Sequence, residues 1–292
     1  MNSGSAGKER RQEIVVVTGA STGIGAATAR ALAARGFHVL AGIRREMDGD
    51  AIRADNIEPI MLDITDADAI TALVQHITED PQRRTLRALV NNAGVAVNAP
   101  LETYALPEWR RLFEVNLFGH VAMMQALLPL LIQSRGTIVN ISSVGGRVAM
   151  ATYGPYAATK FALEAVSDSL RREVGSLGVK VVVIEPGAVT TGMLGRVDAT
   201  GQRVVSEMTT EQRGRYGALM QAVVAQAQAS VSGGATAENV ATIIADAIVS
   251  KQPRTRYTVG RSTAMIARLI RILPDRMLDK LLAQGLKPYL PK

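Results

Sequence analysis

The stretch YGPYAATK, residues 153 to 160, places two tyrosines and one lysine close together in the chain. Pro155 lacks a backbone N–H and suits the first turn of a helix, so a helix is predicted to begin near Tyr156. Tyr156 and Lys160 then share one helical face a turn apart, whereas Tyr153 precedes Gly154-Pro155 and is expected in the loop. A free phenol, with a pKa of about 10, is a poor acid or base at neutral pH. A cation within several ångströms favours the phenolate, and such a phenol can protonate a carbonyl or deprotonate an alcohol. Tyr156 is the predicted acid/base group and Lys160 its activator. Just upstream, NISSVGG at 140–146 puts Ser142 and Ser143 at the end of an apolar run, where one hydroxyl could hold a substrate oxygen. Position alone leaves the two serines even, and turn-forming serines before Gly-Gly would look similar.

A second constellation lies near the start. VTGASTGIG, residues 17 to 25, follows an apolar run and opens an alanine-rich helical pattern. Glycine in such a turn tolerates positive φ and lets backbone N–H groups approach a pyrophosphate at a helix N-terminus. Gly19, Gly23 and Gly25 fit that duty, with Ser21, Thr22 and Ile24 completing the turn. The next apolar run ends AGIRRE, with Arg44 and Arg45 where NAD-binding folds carry a carboxylate for the ribose 2′-hydroxyl. Arginine forks onto a 2′-phosphate that a carboxylate would repel, so NADP(H) is the preferred cofactor and NAD(H) the lesser alternative. LDIT at 62–65 supplies Asp63, with Ile64 beside it, either to accept from an adenine amino group or to cap the following helix. In NNAG at 91–94, Asn92 can satisfy loop backbone groups, while Ala93 and Gly94 leave room for a ribose.

These residues need a scaffold that brings strand ends together. Runs rich in Val and Ile at 14–17, 38–43, 88–94, 137–142, 179–187 and 256–260 alternate with helical patterns near 23–35, 66–79, 107–134, 156–175, 210–228 and 236–249. Continuous apolar strands alternating with helices indicate an α/β fold, a doubly wound parallel sheet covered on both faces. The expected organisation is a polar tail over 1–12 and one domain over 13–292. Within it, 188–235 reads as a substrate flap around a short helical stretch and 261–292 as a C-terminal extension. In that extension Met265, Ile266, Leu269, Ile270 and Leu273 recur at helical spacing between Arg268 and Arg271. Packing over the substrate pocket is the first reading of this helix, and peripheral contact with an anionic membrane surface the second.

TGASTGIG, NNAG, Asn116 within EVNLFG, Ser143 thirteen residues before Tyr156, the Tyr156/Lys160 pair and Pro186-Gly187 together resemble the short-chain dehydrogenase/reductase family over roughly residues 13 to 260. Within it, SVGGRVAMATYGPYAATKFALEAVSDSLRREV and the extended carboxyl end are similar to the 17β-hydroxysteroid and retinol dehydrogenase branch. The resemblance implies a Rossmann fold and a tetrad of Asn116, Ser143, Tyr156 and Lys160. In that tetrad Ser143, rather than Ser142, polarises the carbonyl and Tyr156 transfers the proton. Lys160 binds the nicotinamide ribose and lowers the tyrosine pKa, while Asn116 holds a water in a proton relay. It also implies that Pro186, Gly187, Val189 and Thr190 lie along the nicotinamide, that Arg44 marks an NADP preference, and that the helix carrying Trp109 and Phe113 joins that of Tyr156 in a homodimer or homotetramer.

Composition narrows the classes further. No cysteine occurs among the 292 residues, which removes disulfides, thiolate metal sites and cysteine nucleophiles, and a cytoplasmic location is expected. A formal net charge of +7 favours anionic ligands, but aromatics are only 4% and the charges are dispersed, so no nucleic acid partner is expected. His38, His76 and His120 show no ligand spacing, so no metal is expected either. The apolar run 121–132 is shorter than a membrane span and reads as a buried helix. The resulting expectation is an NADP(H)-dependent oxidoreductase acting on a hydrophobic ketone, aldehyde or alcohol. The alternative is a non-enzymatic NADP(H)-sensing protein on the same scaffold; a sugar-nucleotide epimerase or dehydratase would need more chain after residue 188.

Overall fold

The structure, a computed structural model, describes residues 12–190, 192–231, 234–260, 264–265, 269 and 272–291. Most of the expected polar tail, and Ile266, Arg268, Ile270 and Arg271 of the extension, lie outside the described residues; Gln12 is described and donates to Asn56 Oδ1 at 2.8 Å.

Alternating apolar runs and helical patterns fold into β1 (Ile14–Val17), α1 (Gly23–Ala33), β2 (His38–Ile43), α2 (Met47–Ile52), β3 (Ile57–Met61), α3 (Ala67–Thr78) and β4 (Leu86–Asn91). The second half runs α4 (Leu106–Phe113), α5 (Gly119–Ser134), β5 (Thr137–Ile141), α6 (Gly154–Val174) and β6 (Lys180–Pro186). It continues through β7 (Val189–Thr190), α7 (Gly192–Glu207), α8 (Thr210–Val231), β8 (Ala235–Thr236), α9 (Ala237–Val249), β9 (Arg256–Val259) and α10 (Asp275–Leu286). Seven strands form one sheet in the order β3-β2-β1-β4-β5-β6-β9, every pair parallel. This is the doubly wound Rossmann arrangement, and its order reverses between β1 and β4, where ligands gather outside the carboxyl ends of the strands.

The two-residue strand period explains why β1 reads as unbroken Ile-Val. Val15 and Val17 face one core with Ala29, Leu32, Val240 and Ile244, beneath α1 and α9. Ile14 and Val16 face the other with Leu73, Met123, Leu127 and Leu131, beneath α3 and α5. All four β1 side chains are at most 1% exposed, and each such burial is worth about 1.5–3 kcal/mol.

One local expectation is borne out with an interruption, and another is corrected. The helix expected over 107–134 is one 29-residue rod, Leu106–Ser134, long and apolar enough by length and composition to span a bilayer, yet Met123, Leu127 and Leu131 are core residues. That rod is interrupted by a π turn at Glu114–Phe118, the kind of insertion that concentrates at functional sites. The 188–235 segment, expected as a flap, holds two long helices: α8, of 22 residues, where a helix over 210–228 was expected, and α7, of 16 residues, where none was. Its two ends are brought together by the parallel pair β7–β8. At its outer side, Tyr216 donates to Glu102 at 2.7 Å and Arg215 pairs with the same carboxylate, tying α8 to the segment after β4.

Candidate active site

The turn between β1 and α1 is set by backbone geometry. Gly19 has φ +63°, and a Cβ there would sit 2.8 Å from Ala93 Cα; a Cβ on Gly25 would sit 2.3 Å from the Gly19 carbonyl. Only glycine allows this approach of the two loops. Asn92 locks it, donating from Nδ2 to the Thr18 and Gly19 carbonyls at 2.9 and 3.0 Å, while Thr18 Oγ1 accepts from the Asn92 and Ala93 N–H groups, both at 2.9 Å. Thr22, the N-cap of α1, makes no side-chain capping bond, so the first N–H groups of that helix lack this partner.

Arg44 and Arg45 stand exposed at the end of β2, but they differ. Arg45 grips Asp48 through two nitrogens at 3.0 and 2.8 Å, whereas Arg44 acts electrostatically on Asp63 across the groove. Asp63 does not cap α3: it accepts from Thr65 N and Oγ1 at 2.9 and 2.7 Å, and the cap is Asp66. Burial works against the Asp63 carboxylate, but the Thr65 bonds and the Arg44 charge hold it below the ordinary value.

At the other end, Pro155 lies in the first turn of α6 and Tyr153 is its N-cap, so Tyr156 and Lys160 do share a face. Lys160 Nζ donates to the Ile141 carbonyl at 2.8 Å and stands 5.8 Å from the centre of the Tyr156 ring. Ser143, at the end of β5, accepts from Gly145 N at 3.0 Å and donates weakly to the Pro186 carbonyl at 3.5 Å. Ser142 is buried, its hydroxyl without a completed bond. Both serines that position alone left even line the cleft, and Ser143 is the one that acts on the Tyr156 phenol.

One electrostatic expectation is corrected. In the cofactor-free protein, burial pushes the Tyr156 phenol up to about 12, with Ser143 pulling it back. Burial also lowers the Lys160 ammonium to about 8, against the attraction of Glu164 one turn further along. Lys160 is not among the groups that move the phenol; burial, Ser143 and Tyr153 are.

Asn116 sits in the π turn, with Oδ1 accepting from Val95 N at 2.9 Å and Nδ2 donating to the Val95 carbonyl at 2.8 Å and to Thr159 Oγ1 at 3.2 Å. Both amide hydrogens are used, so the side chain fastens the NNAG loop to α6 and has only an Oδ1 lone pair left for a water. His120, buried beneath, places Nε2 2.7 Å from the Ala93 carbonyl and stays neutral, its pKa lowered to about 3 by burial and by Lys160.

A continuous cleft of about 2250 Å³ joins the two ends. Gly19, Ser21, Thr22, Gly23, Ile24, Arg44, Arg45, Asp63 and Ile64 line it at one end; Asn92, Ala93, Gly94, Ser143, Tyr156, Lys160, Pro186, Gly187 and Val189 line the middle. Gly25, Asn116 and Thr190 do not reach the lining: the first two lie behind it, and Thr190 is exposed on β7. Beyond Tyr156 the walls turn apolar, with Val144, Val148 and Met150 from the loop after β5, Leu219 and Val223 from α8, and Leu278, Leu282 and Leu286 from α10. The α10 leucines recur every four residues on the face toward α8, where Gln226 donates to the Gly285 carbonyl at 2.9 Å. Among the described residues no cluster of three metal-ligating side chains occurs.

Sequence reasoning missed a buried charge cluster under this floor. Arg256 of β9 reaches Glu164 Oε2 at 2.9 Å, Asp168 Oδ1 at 2.8 Å and Glu185 Oε1 at 3.4 Å. Glu185, the residue before Pro186, is 2% exposed and also accepts from Thr258 at 2.8 Å. Burial, together with Glu185, raises Glu164 above the ordinary carboxylate range despite Arg256. The four-residue step from Lys160 to Glu164 was the one available signal, because it puts an acid on the lysine's own face.

The sequence profile described as short chain dehydrogenase matches residues 13–202. An NADPH-dependent 3-dehydrocapnine reductase of Ornithobacterium rhinotracheale is 34% identical over 280 residues, 93% of this chain and 96% of its own. Retinol dehydrogenase 16 of Mus musculus is 33% identical over 95% of this chain and 90% of its own. The crystal structure of a short-chain dehydrogenase from Streptomyces avermitilis superposes with a TM-score of 0.73 at 29% identity, covering 94% of each chain. With the glycine turn, the parallel sheet and the Tyr156/Lys160 pair in place, the chain belongs to the short-chain dehydrogenase/reductase family of oxidoreductases and resembles its retinol dehydrogenase branch.

Proposed function

We propose that the protein is an NADP(H)-dependent oxidoreductase that interconverts a carbonyl and an alcohol on a small hydrophobic substrate, with Tyr156 as the acid/base group. The observation that carries this reading is the position of the phenol: it lines one cleft, between a groove at the Gly19 turn and an apolar chamber. The groove fits NADP(H) on its own terms. A Cβ on Gly19 or Gly25 would fill the turn beneath the pyrophosphate position. The N-terminus of α1 offers N–H groups and a positive dipole end to phosphate. Arg44 stands at the end of β2, where a 2′-phosphate would be recognised. The name of the NADPH-dependent reductase relative supports the same choice.

When bound, the cofactor supplies or takes up the hydride. Ser143 orients the substrate oxygen and Tyr156 delivers the proton to it, or removes it in the reverse direction, a contribution of about 10²–10⁴-fold. Lys160, fixed on the Ile141 carbonyl, keeps a positive charge one turn below the phenol, and Asn116 holds the π turn against α6. Apolar side chains of α8 and α10 exclude water and select a lipophilic body; the retinol dehydrogenase relatives support that class by name. Exposed Leu106, Phe118 and Phe161 on the two helices of the expected subunit contact support a homodimer or homotetramer, which light scattering would measure.

The direct test is a panel of ketones, aldehydes and alcohols read by NADPH absorbance, with NADH in parallel. Turnover of lipophilic carbonyls with NADPH supports the reading; no turnover and no cofactor binding overturns it.

A further inference from the structure

Gln226 of α8 and Asp279 of α10 are among the polar side chains that line the chamber beyond Tyr156, and a buried one lies nearer the phenol. Asn98 is 2% exposed, lines the cleft, and its amide nitrogen completes no hydrogen bond among the described residues. Burial raises the pKa of the Tyr153 phenol, and Asn98, lying against its hydroxyl, draws it part of the way back. The Tyr153 ring meets Tyr156 edge-on, with centroids 6.5 Å apart, and it too lines the cleft. The walls around the pair are Val144, Val148, Ala149 and Met150. Closed off from the cleft, the Asn98 amide can only back the Tyr153 hydroxyl, and that hydroxyl is left to donate its own proton to an oxygen in the cleft.

The backbone is bent to make this arrangement. Thr152 has φ +65°, a conformation that a β-branched residue rarely adopts. It is held there by two bonds, from Ala99 N to the Thr152 carbonyl at 2.8 Å and from Tyr153 N to the Met150 carbonyl at 3.0 Å. These stitch the segment after NNAG to the segment before α6, so Asn98 and Tyr153 come together beside the reacting phenol. Thr152 Oγ1 is likewise buried without a partner. Strain kept by its surroundings at such a place points to a ligand rather than to packing.

We infer that Tyr153, backed by Asn98, forms a polar subsite for a second oxygen on the substrate, close to the reacting carbon: an ester or keto carbonyl, an ether or a hydroxyl that accepts from the Tyr153 hydroxyl. The inference rests on the carbonyl/alcohol reading above and deepens it: the preferred substrate is an oxygenated ketone or its alcohol on a lipophilic body, not a plain hydrocarbon ketone. A site built to bond a substrate oxygen rejects the analogue lacking it far more strongly than an apolar pocket rejects an extra methylene.

The test compares kcat/KM for three substrates of equal chain length: a plain methyl ketone, the matching β-keto ester and the matching α-hydroxyketone. Wild type, Asn98→Leu and Tyr153→Phe are measured as full-length protein with NADPH. Wild type is expected to favour at least one oxygenated ketone by about 10²-fold or more. Either variant is expected to cut that ratio at least tenfold, and Tyr153→Phe, which keeps the ring, serves if Asn98→Leu does not fold. Equal kcat/KM on all three substrates in wild type, or an unchanged ratio in a folded variant, overturns the subsite and leaves the carbonyl reading standing. Turnover of none of them by a wild type that binds NADPH overturns both.

Discussion

At the Gly19 end the cleft is shaped by backbone and edged by exposed charge; at the Tyr156 end it is floored by charge taken out of water. Arg44 and Arg45 stand in solvent, where a charge costs little and also stabilises little. Lys160, Glu164 and Glu185 are 5%, 6% and 2% exposed, and none of them would be buried for the sake of stability alone. The contrast teaches where each half can be changed. Ligand preference can be retuned at the first end with the fold indifferent, whereas the second trades stability for chemistry in a single set of side chains.

The largest expected effect is at Lys160. Replacing it with Met should lower kcat by about 10²–10⁴-fold, since an uncharged side chain leaves Tyr156 an ordinary buried phenol. The melting temperature should hold or rise, because the desolvation of an ammonium is removed. The wild-type pH dependence follows from the same residue. Its folded pKa of about 8 lies below the ordinary lysine value of 10.5, so in that interval the unfolded chain binds more protons. The burial penalty is therefore fully present below about pH 8 and relieved as pH rises toward 10.5, while NADPH-driven reduction falls over the same rise as the charge is lost. Denaturant titrations and initial rates from pH 6 to 10 would show the two trends running in opposite directions.

Next comes Arg256. Arg256→Met leaves Glu164 and Glu185 buried without their shared cation and should destabilise the protein by about 3–5 kcal/mol in urea titrations. Glu164 already binds its proton more tightly in the fold than in the open chain, so the loss should grow as pH rises above the ordinary carboxylate range and shrink below it. A loss that does not vary with pH would mean that the cluster is only packing.

Gly19→Ala should cost about 1–3 kcal/mol of stability and most of the NADPH affinity, because a side chain at φ +63° also meets Ala93 Cα at 2.8 Å. Calorimetric titration of the folded variant separates the two. The smallest change in stability is expected for Arg44→Ala, within about 0.5 kcal/mol, although the ratio of NADPH to NADH affinity should drop about tenfold or more with the loss of a charge-assisted bond. If Arg45→Ala moves that ratio more than Arg44→Ala does, the Arg45–Asp48 pair opens to take the phosphate and the assignment between the two arginines reverses.

What could be read in advance follows from how local each signal is. The parallel sheet was legible because most of its strands are short Val- and Ile-rich runs, β3 (IEPIM) excepted, and the glycine turn because its three glycines lie within nine residues. The Tyr156/Lys160 face follows from one helical turn and a proline. The direction of the tyrosine's pKa was not legible, since it depends on how much water the fold removes from around the ring. The Glu164–Glu185–Arg256 cluster was hidden because its members come from α6, β6 and β9 and meet only once the sheet is assembled. Helix α8 was legible over 210–228, whereas α7 was masked by its interspersed glycines and polar residues. Asn98 carried no pattern, and only its burial without a partner singles it out.

The central claim, that the Tyr156 hydroxyl carries the proton in a cleft that binds NADP(H), is tested most directly by Tyr156→Phe in a paired measurement of NADPH affinity and of kcat on the best carbonyl of the panel. The account predicts unchanged affinity and a fall in kcat of about 10²–10⁴-fold. A variant that binds NADPH as wild type does and still turns over at the wild-type rate would contradict it.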